Sequence, residues 1–371
     1  MVSKRPFANV AQTDPLMQIS YPELHQFISE VFLKKGMSEA HARISADVLT
    51  TADLRGIDSH GVARLSGYLR LIDAGRINVD PNLQFERRKK TQLRLNADGA
   101  IGLVSAHLAM QECIKITHDY GTAWSGIYNS NHFGIAAHHA MLGFDHRYVG
   151  FAMTNASPLV VPANGVERML GTNPICVAIP GKNGNSFVMD MASAAAANGK
   201  LEIAQRKNSS IPQGWAIDAQ GNPSEDPNVL SHKGALLPLG SDAEHGFHKG
   251  YALGAWVDIF SAVLTGASWG PWAPPFVSFL NPLTNAPGKG LGHFVGCWDL
   301  DGFNDVDTAQ DELDAWMVRF KTSQATQGHT VLIPGEPELL THAQRLKNGI
   351  PINTVVAEEI RNISKELNVS L

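Results

Sequence analysis

Apolar residues recur every three or four positions through the first ninety residues, a spacing typical of amphipathic helices. The pattern predicts helices over residues 21–32, 38–54 and 61–74. Ser59 precedes the third helix, where its hydroxyl can accept a hydrogen bond from a free backbone N–H in the first turn. The basic run at residues 87–90 is interpreted as a solvated turn, so the whole region up to Lys90 is predicted to be helical.

Beyond residue 90, short apolar runs alternate with helical patterns, which predicts an α/β core. Strands are expected at residues 92–95, 122–128, 149–154, 175–179, 187–191, 293–298 and 331–333. Helices are expected at residues 102–119, 135–143, 192–205, 251–266, 307–322 and 355–367. Residues 211–246 are rich in Pro, Gly, Asn and Asp and are predicted to cross the surface as a long loop, and residues 268–292 also resemble a loop.

The most apolar long stretch, residues 251–266, carries Asp258 at its middle and is too short to cross a bilayer. It is therefore predicted to be a buried helix. Residues 1–20 lack an apolar segment of signal-peptide length, and the three cysteines stand far apart without a C-x-x-C pair. Isolated thiols fit a reducing compartment, so we expect a cytoplasmic protein without a membrane partner.

Composition narrows the class of protein further. The 371 residues are 44% hydrophobic and 18% charged, which is typical of a globular protein with two or more lobes. The formal net charge is −5, and no basic cluster is interleaved with aromatic residues, so a nucleic-acid partner is not expected. No G-x-G-x-x-G follows a predicted strand, which argues against a standard Rossmann nucleotide site. These observations alone predict an α/β enzyme of unknown reaction.

Six short motifs in fixed order carry a family resemblance. They are DSHGV at 58–62 followed by Arg64, NSNHFG at 129–134, GTNP at 171–174, MDMA at 189–192, KGY at 249–251 and PGEP at 334–337. Together they closely resemble the NAD(P)-dependent malate/L-lactate dehydrogenases, a family that includes sulfolactate, ureidoglycolate and diketogulonate oxidoreductases. The resemblance covers about residues 21–367, nearly the whole chain.

The resemblance implies a fold class and an assembly. The fold would be α/β, with a non-Rossmann nicotinamide-binding core built on a mixed sheet. A helical substrate and dimerisation domain would comprise residues 21–90 and 307–371, and an α/β cofactor-binding domain would comprise residues 91–306. Members of the family are homodimers or larger, with the active site near the subunit interface. The cofactor would be NAD or NADP, and the sequence does not decide between them.

His60 and Arg64 are the first candidate catalytic pair. His60 falls in the first turn of a predicted helix, where the positive end of the macrodipole disfavours imidazolium and suits proton exchange near pH 7. Arg64, four residues on, would share a helix face with His60, and its forked guanidinium can hold a substrate carboxylate by two hydrogen bonds. By resemblance, His60 matches the family's proton donor, and Ser59 and Arg64 would contact the substrate.

His132 is a second acid–base candidate, because it lies in a predicted strand-to-helix loop. In the ureidoglycolate branch of the family the matching histidine has the proton-transfer role, so the resemblance leaves the choice between His60 and His132 open. Both are expected to line the pocket. His138 and His139 nearby raise the possibility of a metal site, but no acidic or cysteine ligand accompanies them in that helix, and no metal is predicted.

By resemblance to the family, three segments would hold the cofactor. The first is Asp190, Met191 and Ala192, at the end of a predicted strand, where Asp190 would favour the pyridinium side of the reaction or simply cap the following helix. The other two contain His248 with Lys249, and Gly335 with Glu336. A lysine and a free helix N-terminus both suit a phosphate.

The expected reaction is hydride transfer between a nicotinamide and C2 of a small 2-hydroxy or 2-oxo acid. Asn155, Thr172 and Asn173 are further candidates for substrate contacts, with turn stabilisation as the alternative. One rival activity is reduction of a cyclic imino acid, which a branch of this family carries out. Another is a metal-dependent hydrolase built on Asp58, His60, His132 and His139. Residues 1–20 lie outside the matching region and residues 269–291 look lineage-specific, so the substrate itself is not predicted.

Overall fold

The structure is a computed structural model that describes residues 17–371. Its helices are α1 (Tyr21–Lys34), α2 (Glu39–Leu54), α3 (Leu65–Asp73), α4 (Gly102–Tyr120), α5 (Ala136–Met141), α6 (Asn198–Arg206), α7 (Phe247–Asp258), α8 (Val306–Lys321), α9 (Glu336–Asn348) and α10 (Thr354–Leu367). Its strands are β1 (Met17–Ile19), β2 (Gln84–Lys89), β3 (Gln92–Asn96), β4 (Thr122–Ser130), β5 (Tyr148–Thr154), β6 (Ile175–Pro180), β7 (Ser186–Met191), β8 (Ala216–Ile217), β9 (Pro223–Ser224), β10 (Ala235–Leu236), β11 (Leu291–Asp299) and β12 (Ile350–Ile352).

Seven strands form one mixed sheet in the order β2-β3-β4-β11-β5-β6-β7. Only β3 and β4 run parallel, because α4 forms the crossover between them, and every other neighbouring pair in this sheet is antiparallel. Strand β2 lies at one edge and is exposed along its whole length. The prediction of an α/β fold with a mixed sheet is confirmed.

The N-terminal and C-terminal helices share one hydrophobic core. Helix α1 begins with a capping box between Ser20 and Glu23, and its apolar stripe buries Phe27 and Phe32 beside residues of α2, α3 and α10. Strand β1 pairs with β12, which joins the two ends of the described chain. The division of the sequence into two domains stays a prediction.

The two faces of the large sheet are covered unequally. Helices α4 and α5 bury one face with small residues such as Ala106, Ala109 and Ala137. The opposite face carries Trp124, Phe151, Phe294 and other aromatic side chains against α7 and the π-helical turn that follows it, and it retains a cavity of about 720 Å³. The sheet therefore has an aromatic face that α7 covers only in part.

Helix α7 and its π-helical extension are not fully buried. This segment exposes Ile259, Val263 and Leu264, with Leu264 65% exposed. The prediction of a wholly buried helix over residues 251–266 was wrong. The sequence is apolar throughout this segment, and hydrophobicity alone does not reveal which of its side chains stay exposed among the described residues.

Several predicted boundaries differ from those observed. The basic run at residues 87–90 is not only a turn, because Gln84–Lys89 forms the edge strand β2 and the region up to Lys90 is not all helical. Residues 331–333 do not form a strand, although the neighbouring Pro334 carbonyl accepts a hydrogen bond from the Val188 N–H at 3.0 Å. The local composition of both segments was compatible with either structure.

The helix predicted from Ala192 begins only at Asn198. Residues 192–197 run extended, since the Ser193 N–H donates to the Thr172 carbonyl and the Ala195 N–H donates to the Leu237 carbonyl, both at 2.9 Å. These long-range bonds within the chain use the backbone donors that a helix would need, so tertiary pairing overrides the helix propensity of the alanines.

Candidate functional site

The loop that carries Ser59 and His60 precedes its helix rather than belonging to it. A 3-10 turn covers Val62–Arg64 and α3 follows, so His60 lies outside the regular helix and does not share a helix face with Arg64. The buried Asp53 carboxylate, not Ser59, accepts the Val62 N–H at 2.8 Å, which corrects the predicted cap. A Cβ atom at Gly61 would lie only 1.9 Å from Asp53 Oδ1, so this position requires glycine.

His60 and His132 lie face to face. Their rings are stacked with centroids 5.8 Å apart and an interplanar angle of 20°. Ser59 Oγ lies 2.9 Å from His60 Nδ1. Burial lowers the pKa of His60 to about 4, and the positive charge of Arg64 acts in the same direction. From the sequence, a low pKa for His60 was predicted on the basis of the helix macrodipole, whereas in the structure the main cause of the low pKa is desolvation.

Two donors fix the tautomer of His132. The Gly134 N–H and the Tyr68 hydroxyl both approach His132 Nδ1, at 3.3 Å and 2.6 Å. A backbone N–H can only donate, so Nδ1 is an acceptor and the neutral ring carries its proton on Nε2. Burial lowers the pKa of His132 well below its usual value and raises the pKa of Tyr68. His132 is therefore held as a neutral hydrogen-bond donor.

Arg64 lies beside a cavity of about 310 Å³. Its Nε donates to the Ser59 carbonyl, and Nη2 donates to Glu202 on α6 at 3.3 Å. Helix α6 approaches this loop closely, because a Cβ at Gly199 would lie 2.9 Å from the Ser59 Cβ. Phe276 lines the same cavity, and the centroid of its ring lies 4.6 Å from that of His132, so His132 is linked to this cavity through Phe276.

Asp190 ends strand β7 and caps a different helix from the predicted one. Its Oδ2 accepts the Ala137 N–H of α5 at 2.9 Å, whereas the helix after it has no side-chain cap. Burial raises the pKa of Asp190 to about 6, and this hydrogen bond and the charge of Arg55 oppose the rise. The pKa of this carboxyl group, at the end of the strand, is therefore close to neutral pH.

The three predicted cofactor segments converge near β7. Met191 is the last residue of the strand and Ala192 follows it, and Gly335, with φ +90°, lies so close to Val188 that a Cβ would be 2.8 Å from the Val188 Cβ. The Leu239 N–H donates to the Ser193 carbonyl at 2.9 Å, which brings the chain leading into α7 to the same region. His248 and Lys249 are exposed in the first turn of α7.

Helices α7 and α9 both begin without a side-chain cap. The Phe247, Lys249 and Glu336 N–H groups donate to nearby backbone carbonyls, so the donors left for phosphates are the other first-turn N–H groups and the Lys249 ammonium. Glu336 opens α9 and pairs with Lys321, whose hydrogen bond lowers the pKa of Glu336. Glycine where close approach is needed, free helix donors and an exposed cation fit a dinucleotide.

Asn155 and Asn173 have internal hydrogen-bond partners. Asn155 donates to the Ser268 carbonyl at 2.8 Å and accepts the Gly292 N–H at 3.0 Å. Asn173 accepts the Ala156 N–H at 3.1 Å and donates to the Gly254 carbonyl at 2.9 Å. The Thr172 carbonyl accepts two bonds from Ser193. Turn stabilisation, the alternative considered for these residues, accounts for their observed bonds, and the structure does not bring them to the two histidines.

The described residues 17–371 contain no group of three or more His, Cys, Asp and Glu side chains that could hold a metal ion. His139 Nε2–H donates to the Phe133 carbonyl at 2.8 Å, and His138 contacts Thr51 and His107. The hydrolase alternative therefore lacks the ligand set that it needs in this part of the chain. A membrane-crossing helix of sufficient length and apolarity is likewise not found among residues 17–371.

Sequence reasoning missed four residues of this site: Asp53, Tyr68, Glu202 and Phe276. Tyr68 follows Arg64 at helical spacing, so a tyrosine on the same face of α3 was a usable sign of a hydrogen-bond partner. Glu202 and Phe276 reach the site from distant segments, and no local pattern indicates them.

Comparisons with known proteins agree on one family. A family model described as malate/L-lactate dehydrogenase matches residues 19–361. A malate dehydrogenase of Pyrococcus horikoshii is 37% identical over 95% of this chain and 96% of its own length. A malate/(S)-sulfolactate dehydrogenase of Methanothermus fervidus is 35% identical over 96% of this chain and 99% of its own length. The crystal structure of malate dehydrogenase from Entamoeba histolytica superposes with a TM-score of 0.89 at 29% identity, covering 96% of this chain and 99% of that one.

Proposed function

This chain belongs to the malate/L-lactate dehydrogenase family, and from that premise we propose that it transfers hydride between NAD or NADP and a small 2-hydroxy/2-oxo acid. The predicted family is thereby confirmed, and so is the prediction that the chain is an enzyme of the dehydrogenase class. The observation that best supports the finer proposal is the stacked pair of neutral histidines together with Arg64, which lines a cavity and lies close enough for its charge to lower the pKa of both histidines.

His60 is proposed as the group that exchanges a proton with the substrate oxygen. Among the described residues, the hydrogen-bond partner of its Nδ1 is the rotatable Ser59 hydroxyl, so the ring is able to gain or lose a proton without breaking a fixed backbone bond. An anionic substrate bound between Arg64 and His60 would favour the imidazolium form and raise the pKa from its low value in the free protein.

His132 is proposed as a fixed donor to the same oxygen. A second proton on this ring would have to sit on Nδ1, where it would meet the Gly134 N–H and displace the Tyr68 hydroxyl. A relay that leaves Tyr68 as tyrosinate is opposed by burial, which raises the pKa of the phenol. His132 Nε2–H would therefore stabilise the developing alkoxide without itself changing charge.

The nicotinamide supplies and accepts the hydride at its C4 atom. Among the chain's own residues, we assign Asp190, Met191 and Ala192 to the nicotinamide side, and Asp190 would favour the pyridinium as a carboxylate. Lys249, His248, Gly335 and Glu336 would hold the phosphates and ribose, assisted by the free N-termini of α7 and α9. The choice between NAD and NADP is left to measurement.

The function is tested by assaying a panel of 2-oxo acids with NADH and with NADPH, following the loss of absorbance of the reduced cofactor. Piperideine-2-carboxylate should be run beside pyruvate and oxaloacetate. We expect reduction of at least one 2-oxo acid. Turnover of the cyclic imine alone would replace the proposed activity with imine reduction, and no turnover with any of these compounds would remove it.

Replacing Arg64 with lysine is expected to lower kcat/KM for 2-oxo acids by about a hundredfold. A lysine keeps the charge but cannot make the two parallel hydrogen bonds of a guanidinium, and it also loses the bond from Nε to the Ser59 carbonyl. Steady-state kinetics with a 2-oxo acid measure the change. The exposed Arg147→Lys serves as control, and equal kinetics in the Arg64 variant and the wild type would remove Arg64 from the site.

A homodimer is proposed to cover the aromatic face of the sheet. The cavity on this face is lined by Trp256, Phe260 and Leu264, and the neighbouring Ile259 and Val263 side chains are nearly half exposed. A continuous apolar surface of this kind on a globular chain marks an interaction site, and a second copy fits the expected assembly.

Leu264→Arg is expected to dissociate this dimer, because the new charge would be buried without a partner at the interface. Light scattering after size exclusion measures the mass, and Val166→Arg, on another exposed segment, serves as control. A Leu264 variant that keeps the wild-type mass would place the interface elsewhere.

The three cysteines are buried free thiols, which supports the proposal of a reducing, cytoplasmic location.

A further inference from the structure

The cavity beside Arg64 carries three charged side chains. Arg64 and Arg70 contribute two positive charges and Glu202 contributes one negative charge, while the other lining groups are serines, apolar side chains and backbone. Arg70 uses one guanidinium nitrogen to donate to the Phe276 carbonyl, so it also holds the segment that closes one side of the cavity. The charged groups of the cavity therefore sum to +1.

Glu202 is held in place by two bonds. Its Oε1 accepts the Asn198 side-chain amide at 2.8 Å, and its Oε2 accepts Arg64 Nη2 at 3.3 Å. The carboxylate is about 29% exposed, and Arg64 is about 18% exposed, so the pair is only partly screened by water. The first turn of α6 is pressed against the Ser59 loop at Gly199, which fixes the helix that carries Glu202.

Glu202 shares the part of Arg64 that a substrate would use. The guanidinium presents two edges to a carboxylate, and the edge with Nε already donates to the Ser59 carbonyl. A substrate carboxylate must therefore bind the Nη1–Nη2 edge, where Nη2 contacts Glu202. Substrate and Glu202 would lie close together with like charges around one cation.

We propose that Glu202 is a specificity-determining residue that makes this site favour 2-oxo acids with one carboxylate over those with two. One substrate carboxylate neutralises the cavity charge of +1, whereas a second carboxylate leaves a net negative charge next to Glu202. The inference rests on the proposed function, since it takes Arg64 to be the anchor of the substrate carboxylate. It also separates this chain from relatives whose name gives malate, a dicarboxylate, as substrate.

The test compares wild type, Glu202→Gln and the control Glu366→Gln, which removes the same charge from an exposed position on α10. Glutamine keeps the size of Glu202 and an oxygen for the Asn198 bond. Calorimetry in the presence of reduced cofactor gives the Kd of oxamate, a monoanion, and of tartronate, a dianion. Kinetics with pyruvate and oxaloacetate give the matching kcat/KM values, and thermal unfolding verifies that each variant is folded.

The wild type should bind oxamate more tightly than tartronate. In Glu202→Gln the ratio of the two Kd values should shift about tenfold toward tartronate, with a similar shift in kcat/KM toward oxaloacetate and nearly constant kcat. Glu366→Gln should match the wild type. If both ligands bind and the ratio moves less than twofold or toward oxamate, the inference fails while the proposed function stands. If neither ligand binds and neither acid is reduced, both the inference and the proposed function are wrong.

Discussion

Replacing His60 with glutamine is expected to lower kcat for 2-oxo acid reduction by about a thousandfold, because general acid–base catalysis by a positioned histidine contributes on that order. Glutamine keeps a polar group beside Ser59 but cannot exchange a proton. The affinity for reduced cofactor should change by less than about threefold, since none of the three cofactor segments includes His60. Steady-state kinetics and quenching of cofactor fluorescence measure the two quantities.

His132→Gln provides the matched comparison, because the two histidine rings are stacked on each other. This variant should also lose activity, on the order of a hundredfold, through loss of one donor to the developing alkoxide. It should keep the pH dependence of kcat, whereas His60→Gln should flatten it, because only His60 is proposed to change protonation. The opposite result, with a flat profile in the His132 variant alone, would reverse the two roles.

The variant Tyr68→Phe is a third way to distinguish the roles of the two histidines. Without the phenol, His132 Nδ1 keeps only the Gly134 N–H and the ring is less firmly oriented, so kcat should fall while the pH profile stays that of the wild type. Tyr68 is thus a positioning residue, and its role depends on the tautomer that the Gly134 N–H imposes on His132.

The proposed reactive centre could be predicted from local sequence only in part. His60 and Arg64 lie in one short motif, and His132 lies in another, so the motif resemblance suggested all three, and their roles stay a prediction. The partners that set their properties are remote: Tyr68 is 64 residues from His132, and Glu202 is 138 residues from Arg64. Such pairs are determined by the packing of α3 and α6, which no periodicity in the sequence reports.

The fold shows the same division between local and tertiary causes. Helix α4 was predicted nearly in full because its apolar residues follow helical spacing and Gly121 ends it in a left-handed conformation. Helix α9 was missed, since it buries no residue completely and its sequence PGEPE reads as a turn. The extended run at residues 192–197 was predicted as helix because alanine propensity conceals the two backbone bonds that hold it.

Buried neutral histidines have a consequence for the whole protein. His139 and His293 are fully buried, and burial lowers the pKa of each to about 3. In the unfolded chain both would titrate near 6.5. Below that pH the unfolded state binds protons that the folded state does not, so stability is fully present above pH 6.5 and is lost as the pH falls toward 3.

Two buried carboxyl groups change the stability with pH in the direction opposite to that of the histidines. Burial raises the pKa of Asp190 and of Asp258 to about 6, so between pH 6 and 4 the folded state holds protons that the unfolded carboxyls have released. Each such group offsets one histidine over that interval. His60, His132 and His138 also have lowered pKa values, so the histidines outnumber the raised carboxyls even when Asp53 is added.

The free energy of unfolding is therefore expected to fall by about 1 to 3 kcal/mol for each pH unit from 6.5 down to 4. Urea unfolding followed by tryptophan fluorescence at several pH values gives this slope. His139→Phe, which fills the space beside Phe133 without a titrating group, should reduce the slope by about 1.4 kcal/mol per pH unit. His118→Gln, at a histidine whose side chain is 82% exposed, should leave it unchanged. A slope that is flat in the wild type, or equal in the two variants, would show that these imidazoles are protonated inside the folded chain.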